Sequence, residues 1–332
     1  GQHFPYTPIA NPSYMVKGWS FGIRPEVLQK NVNKAKKQGA EIVVLLSHNG
    51  FDVDQKLASM IDGIDVILTG HTHDAIPKGI RINDTLLLSS GSHGKYLGRI
   101  DLKVKNGKVV DTSSNLIPVF SDVIPPDPDM TNLINKIRAP YQEVCNRVIG
   151  KTETLLYRRG NFNGSWDDVI CDTIMQERDT EISLSPGFRW GTTLLPGQKI
   201  TIDDIYSQTS MNYPEVYRIE MTGKMIKEIL EDVCDNIFNP DPFFQQGGDM
   251  VRVGGLTYTC HPKNKMGNRI SNLRIISSDK PIESNKSYVV GGWGSVNQNV
   301  KGPPIYNLLE NYISEKKIIK SSNLEAVKIV GM

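Results

Sequence analysis

The residues of this 332-residue chain best equipped for chemistry are histidines. His71 and His73 stand one residue apart in "LTGHTHDAIP", directly after the apolar run 65–69. His48 directly follows another apolar run, 41–47. Neutral imidazole is a ligand for zinc, manganese or iron, and an oxygen from Asp74 or Asn49 would suit the same ions. Ligands of parallel α/β sheets bind beyond the carboxyl ends of the strands, which is where each of these histidines falls. Residues i and i+2 of an extended segment share a side, so His71 and His73 are expected to face a common point. A metal centre needs more than two ligands, which makes His48 the expected third.

Those positions depend on the elements that carry them. A helix is expected from Arg24-Pro25 to about Gln38, with Val27, Leu28, Val32 and Ala35 on its apolar side and Gly39 ending it. "EIVVLLS" (41–47) is a continuous apolar run, the pattern of a strand covered on both faces. A helix at 52–61 and a strand at 65–69 follow. Further strands are expected in 84–90 and 98–114, the latter with a hairpin turn at Asn106-Gly107. This alternation reads as α/β. The Pro/Asp stretch 121–130 marks a boundary, and a helix of about 17 residues is expected over 130–148. Beyond Lys151 the pattern becomes α+β, with helices near 165–177, 203–209, 222–238 and 304–315. Strands are expected near 215–221, 251–259, 269–276 and 287–291. Met225, Ile229 and Val233 read as core, and Asp203 with Asp204 as a helix start.

Composition bounds the function. The chain is 39% hydrophobic and 22% charged, the balance of a folded globular protein long enough for two domains. A formal net charge of +2 gives no reason to expect nucleic acid or an anionic membrane as partner. No apolar stretch has the length of a membrane span. Cys145, Cys171, Cys234 and Cys260 form no Cys-x-x-Cys pair, so a zinc ribbon or thioredoxin-type motif is unsupported. They read as buried thiols, with a disulfide left open in an oxidising compartment. Gly-x-Ser-x-Gly, P-loop and dinucleotide fingerprints are absent.

The surroundings of the histidines carry a resemblance. "LLSHNG", "DVILTGHTHD" and "SSGSHGKYLGRIDL" follow in the order found in the 5′-nucleotidase family of dimetal phosphoesterases, and "LSPGFRWGTTLLPGQKITIDDIYSQTS" resembles that family's C-terminal domain. Within the family, "FPYTPIANP", "SWDDVICD", "LSPGFRWG", "NPDPFFQQGGDMVRVGGLTYTC" and "GGWGSVN" are similar to the thiosulfohydrolase branch, SoxB. The resemblance implies metal-binding roles for His48, His71 and His73, with His71 and His73 serving one each of two adjacent divalent ions, manganese being the expected species. The family's remaining ligands and its catalytic Asn-His pair lie in Asp-x-His, Gly-Asp and Asn-His motifs that do not occur here in the required place. His3 does not follow an Asp-x pattern. No catalytic residue is therefore assigned within the chain. Three imidazoles lack the bridging carboxylate that two close cations require, so the chain is expected to be the C-terminal portion of a longer protein.

The implied organisation is α/β plus α+β: a partial metallophosphoesterase domain over 1–120, a linker and connecting helix over 121–150, and a substrate domain over 151–332. Arg189 matches the arginine of the family's active-site loop, where a planar fork of donors suits a tetrahedral oxyanion. Arg252 is a second candidate. Trp293 lies near the position of a base-stacking aromatic, without the Gly-Gly-Asp-Gly pattern that follows it in nucleotidases, and Phe243 and Phe244 could line a pocket. The implied reaction is release of sulfate from a cysteine-bound thiosulfonate on a SoxYZ-type carrier protein, with periplasmic location. The alternatives are a 5′-nucleotidase or related phosphoesterase, and a non-catalytic protein-binding module.

Overall fold

The computed structural model describes residues 13–158, 160–211, 213–295, 300–321 and 326–331, together with the backbone of residues 2–3. The stretch 4–12 quoted above lies outside the described residues, as do Val296 and Asn297. The architecture is mixed α/β in two compact units, Gly1–Thr131 with Pro240–Gly247, and Asn132–Asn239 with Gly248–Met332.

The first unit contains β1 (Gln2–His3), α1 (Pro25–Lys37), β2 (Val44–His48), α2 (Phe51–Met60), β3 (Val66–Thr69), β4 (Ile80–Ile82), β5 (Thr85–Ser89), β6 (Tyr96–Lys105) and β7 (Lys108–Pro118). Helix α1 starts where proline at its first position, an early Glu26 and late lysines place it. The sheet runs in the order β1-β2-β3-β5-β4, with β1, β2, β3 and β5 parallel and β4 antiparallel. The carboxyl ends of β2, β3 and β5 therefore lie side by side. The β6–β7 hairpin turns at Asn106 and Gly107, both at positive φ (52° and 70°), as its sequence predicts.

Strand β2 departs from expectation. Leu45 and Ser47 are buried, whereas Val44 is 52% exposed and Leu46 67%. One face packs on the core of Val32, Leu57, Ala58, Ile61 and Ile67, so burial alternates with the pleat. A run of apolar residues records the propensity of each position but cannot say whether a second layer is present to cover it.

The segment after 121 also differs from the single helix expected over 130–148. It forms α3 (Pro128–Arg138), a 3₁₀ turn (Ala139–Tyr141) and α4 (Gln142–Cys145) before β8 (Val148–Thr152). Pro140 has no N–H to give the helix and disfavours helical geometry at the residue before it.

The second unit continues with α5 (Ser165–Arg178), β9 (Ile182–Ser185), β10 (Lys199–Thr201), α6 (Ile202–Thr209), β11 (Tyr217–Thr222), α7 (Gly223–Phe238), β12 (Arg252–Gly254), β13 (Leu256–Cys260), β14 (Ile270–Ile275), β15 (Lys280–Pro281), β16 (Ser287–Gly292), α8 (Ile305–Lys316), β17 (Ile318–Ile319) and β18 (Val327–Ile329). Its sheets run β10-β8-β17, β11-β16-β9-β12 and β15-β14-β13-β18. One core gathers Trp166, Ile170, Ile205, Leu309 and Ile313 from α5, α6 and α8. A second gathers Ile226, Leu230 and Cys234 of α7 with Ile182, Leu256 and Val290. Asp204 closes a capping box with Thr201 at the start of α6, so the Asp203-Asp204 pair does mark a helix start.

Helix α7 is rotated one residue from expectation. Ile226, Leu230 and Cys234 face inward, Ile229 and Val233 are partly buried, and Met225 is exposed. Both sets repeat every four residues, so spacing alone cannot choose between them. The choice satisfies buried Glu231, whose carboxylate accepts the backbone N–H groups of Gly267, Arg269 and Ile270 at 2.8, 3.2 and 2.8 Å.

Candidate functional site

At the carboxyl edge of the first sheet, β2 ends on His48, β3 is followed by His71 and His73, and β5 by His93. The edge is held by a buried carboxylate. Asp54 of α2 accepts Ser47 Oγ at 2.7 Å, Asn49 Nδ2 at 3.1 Å and Thr69 Oγ1 at 2.5 Å. Ser47 and Asn49 flank His48, and Thr69 lies two residues before His71, so one side chain ties both histidine-bearing strand ends together. Burial pushes the Asp54 carboxyl above its ordinary range, against the three hydrogen bonds that lower it.

The loop after β3 is not extended. His71 and His73 both lie in the left-handed region, at φ 78° and 61°, a conformation that costs a non-glycine residue on the order of 1 kcal/mol or more. The alternation expected for an extended segment therefore does not apply. Instead the rings form two pairs, His48 with His71 at 5.2 Å between centroids and His73 with His93 at 5.9 Å, both edge-on. The loop is fixed by Gly70 N–H donating to Ser47 O, Phe51 N–H to Thr72 Oγ1, and Gly91 N–H and Ser89 Oγ to Asp74 O.

His71 Nε2 lies 3.0 Å from Gln246 O. A carbonyl accepts and does not donate, so this contact calls for the ring proton on Nε2, which in a neutral ring leaves the lone pair on Nδ1. A Cβ on Gly247 would sit 2.6 Å from His71 Nε2, so this close approach of backbone to ring requires glycine, as does the φ of +72° there. Asn49, weighed as an oxygen donor, gives its amide N–H to Asp54, while its buried Oδ1 has no hydrogen-bond partner among the described residues. Among the described residues, no three His, Cys, Asp or Glu side chains gather into a set that could hold a metal ion. Each histidine pair brings two imidazoles together, fewer than the three or four protein ligands such an ion takes.

Sequence reasoning missed Asp54 and His93. Asp54 reads as an acidic residue in a helix's first turn, and its role emerges once the parallel register brings Ser47 and Thr69 together. His93 carried a usable signal, since it follows a strand end as His48 and His71 do.

The arginines of the second unit form a chain of alternating charge. Buried Arg158 donates to Asp167 Oδ1 at 2.9 Å and to the carbonyls of Gln208 and Pro186. Arg252, 2% exposed, donates to Asp167 Oδ2 at 3.2 Å, Asp249 Oδ2 at 3.1 Å and Gly160 O at 2.6 Å. Arg189 pairs with Asp249 Oδ1 at 3.8 Å. Buried charges persist when each is matched in this way, and removing one partner leaves another uncompensated. Arg252 is thus held in the interior, while Arg189 keeps part of its side chain exposed.

Trp293 is 3% exposed and donates Nε1 to Ser185 Oγ at 2.8 Å. The ring expected near a stacking position is enclosed in the core. Phe188 meets it edge-on at 5.8 Å and stacks on Trp190 at 3.8 Å, so the loop bearing Arg189 is braced by aromatic rings on both sides of that residue. In the first unit the Lys56 ammonium lies 4.1 Å over the Phe243 ring, and Phe244 is exposed.

With this geometry in place, likeness to known proteins becomes informative. Residues 148–295 match the 5′-nucleotidase C-terminal domain. Human 5′-nucleotidase is 22% identical over 95% of this chain and 63% of its own length, and a trifunctional nucleotide phosphoesterase of Bacillus subtilis is 26% identical over 75% of this chain and 17% of its own. Residues 148–295 thus carry the C-terminal domain of the 5′-nucleotidase family, and the chain as a whole is similar to members of that family. Within it, the chain is similar to the sulfate thiohydrolase SoxB of Thermus thermophilus, at 35% identity and a TM-score of 0.95 over all of this chain and 62% of that one. A 5′-nucleotidase precursor from the same organism shares the fold at a TM-score of 0.79 and 18% identity, over 94% of this chain and 68% of that one. The chain spans 62% of the SoxB chain and about half of a snake venom 5′-nucleotidase.

Two outcomes are expected. Asp54→Ala removes the shared acceptor of three buried donors and lowers stability by on the order of 3 kcal/mol in urea unfolding, whereas exposed Asp52→Ala changes it by less than about 0.5 kcal/mol. Asp168, on α5, accepts Ser321 Oγ at 2.8 Å, and burial pushes its carboxyl up to about 6. A carboxyl raised above its unfolded value contributes stability below that value and loses it as pH rises through the folded value. Asp168→Asn should therefore raise the melting temperature relative to the unsubstituted chain at pH 7 to 8, with the gap closing toward pH 4.

Proposed function

We propose that this chain is the C-terminal portion of a SoxB-type hydrolase that releases sulfate from a cysteine-bound thiosulfonate presented by a SoxYZ-type carrier. The observation that carries this reading is the likeness to SoxB, 35% identical at a TM-score of 0.95 across the whole chain. The expected location is the periplasm. No helix among the described residues is long and apolar enough to cross a membrane.

Such a hydrolase is expected to hold two divalent ions, with manganese the expected species. The described residues do not by themselves gather a set that fits them. His48, His71 and His73 are proposed as this chain's share of the ligands, with the catalytic Asn-His pair expected from outside these residues. Arg189 is proposed to meet the sulfonate oxygens, since a guanidinium offers two parallel donors to an oxyanion. Arg252 supports it from behind through Asp249. Trp293 supports the same loop through Phe188. Both are then positioning residues whose place in the interior suits that role.

A second reading, a 5′-nucleotidase, is supported by the matched domain and by the curated nucleotidases among the relatives. The two readings separate by product. The protein containing this chain together with the family's upstream motifs is incubated with carrier-bound thiosulfonate and, separately, with AMP. Sulfate release on the first substrate is expected, falling roughly 100-fold or more in Arg189→Ala. Phosphate from AMP with no sulfate from the carrier would decide for the nucleotidase.

A further inference from the structure

The sulfur atoms of Cys234 and Cys260 lie 3.5 Å apart, and both residues are fully buried. Cys234 belongs to α7 and Cys260 is the last residue of β13, so the contact joins helix to sheet. It is flanked by other ties along the same helical stripe. Glu231, one turn earlier, accepts the N–H groups of Gly267, Arg269 and Ile270. Asp235 accepts Arg269 Nη1 at 2.5 Å. Positions 231, 234 and 235 face one way on a helix. On the sheet side, Cys260 is fixed by pairing to Ile270 on one edge and Ile329 on the other. Two side chains, each with one rotatable bond before the sulfur, are thus presented to each other by elements that are independently anchored. A disulfide has sulfurs about 2.05 Å apart, so forming one draws these two closer by about 1.5 Å.

We propose that Cys234 and Cys260 are a disulfide-forming pair, oxidised as the chain folds by exchange with a disulfide donor. One cysteine thiolate attacks a donor sulfur and expels one donor thiolate, giving a mixed disulfide. The thiolate of the second cysteine then displaces the other donor thiolate. The pair loses two electrons and two protons, and the donor leaves as two thiols. The contact between the sulfurs, and burial after it, hold the Cys234 thiol well above its ordinary range, so exchange belongs to the stage before α7 closes over β13. Once formed, the bond closes a 26-residue separation and is shielded from reductant by the same burial.

Thiol mapping tests this. The full chain is reduced, unfolded and refolded in a mixture of reduced and oxidised glutathione, then denatured, alkylated and digested for mass spectrometry. The peptides bearing Cys234 and Cys260 are expected to be joined and to separate on reduction, while Cys145 and Cys171 carry the alkylating group. Chain produced in an oxidising compartment and never unfolded is expected to give the same map. Reductant added with denaturant and then removed from the latter should lower the melting temperature by roughly 5–10 °C, with no such shift in Cys234→Ala. Alkylation of all four cysteines in both preparations, or joining of Cys234 to Cys145 or Cys171, would overturn the proposal. A melting temperature unmoved by reduction would overturn it equally.

Discussion

A carboxylate removed from water must be given donors, and Asp54 takes its donors from two neighbouring strands. Ser47 and Asn49 come from the end of β2 and Thr69 from the end of β3. Because the parallel register already sets Ser47 beside Thr69, a single acceptor on α2 satisfies all three. The spacing of His48 and His71 follows from that arrangement. The same physics recurs in the second unit, where Asp167 is shared by Arg158 and Arg252 and Glu231 is shared by three backbone donors. In each case a buried acid fixes segments that are distant in sequence, since an acid left without its donors would cost several kcal/mol.

The histidines show how this fixing is used. His71, His73 and His93 all have positive φ, a strained state that persists where surrounding bonds over-determine it. The loop is held by the ties from Gly70, Thr72 and Asp74, and Gly247 leaves room for the His71 ring. The result is two edge-on imidazole pairs, with Nε2 of His71 held against a backbone carbonyl. A ligand nitrogen whose partner nitrogen is already committed to a hydrogen bond is oriented before any ion arrives.

Much of this was legible in the sequence where a local rule has one solution. Pro25 and the late lysines of α1, the Asn106-Gly107 turn and the Asp203-Asp204 helix start each name their own geometry. So did the position of His48 and His71 after apolar runs. The illegible parts are those that need a partner in space. The apolar run at β2 could not reveal that Val44 and Leu46 would be exposed, and the four-residue repeats of α7 fitted two rotations until Glu231 chose one. Trp293 looked like a ligand-facing ring by its place in the chain, but Ser185 draws it inward. Asp54 has no local signal for its role. Short strands such as β9, β10 and β17 carry too few residues to show a period of two.

The proposed convergence of His48 and His71 as ligands for one divalent ion is measured most directly by paramagnetic broadening. Manganese(II) is titrated at substoichiometric levels into the chain while the ring protons of the histidines are followed by NMR. The resonances of His48 and His71 should broaden together, and His48→Ala should weaken the broadening of His71. Broadening of His71 that is unchanged in His48→Ala, or none at either ring as manganese is raised to excess, would contradict the shared site.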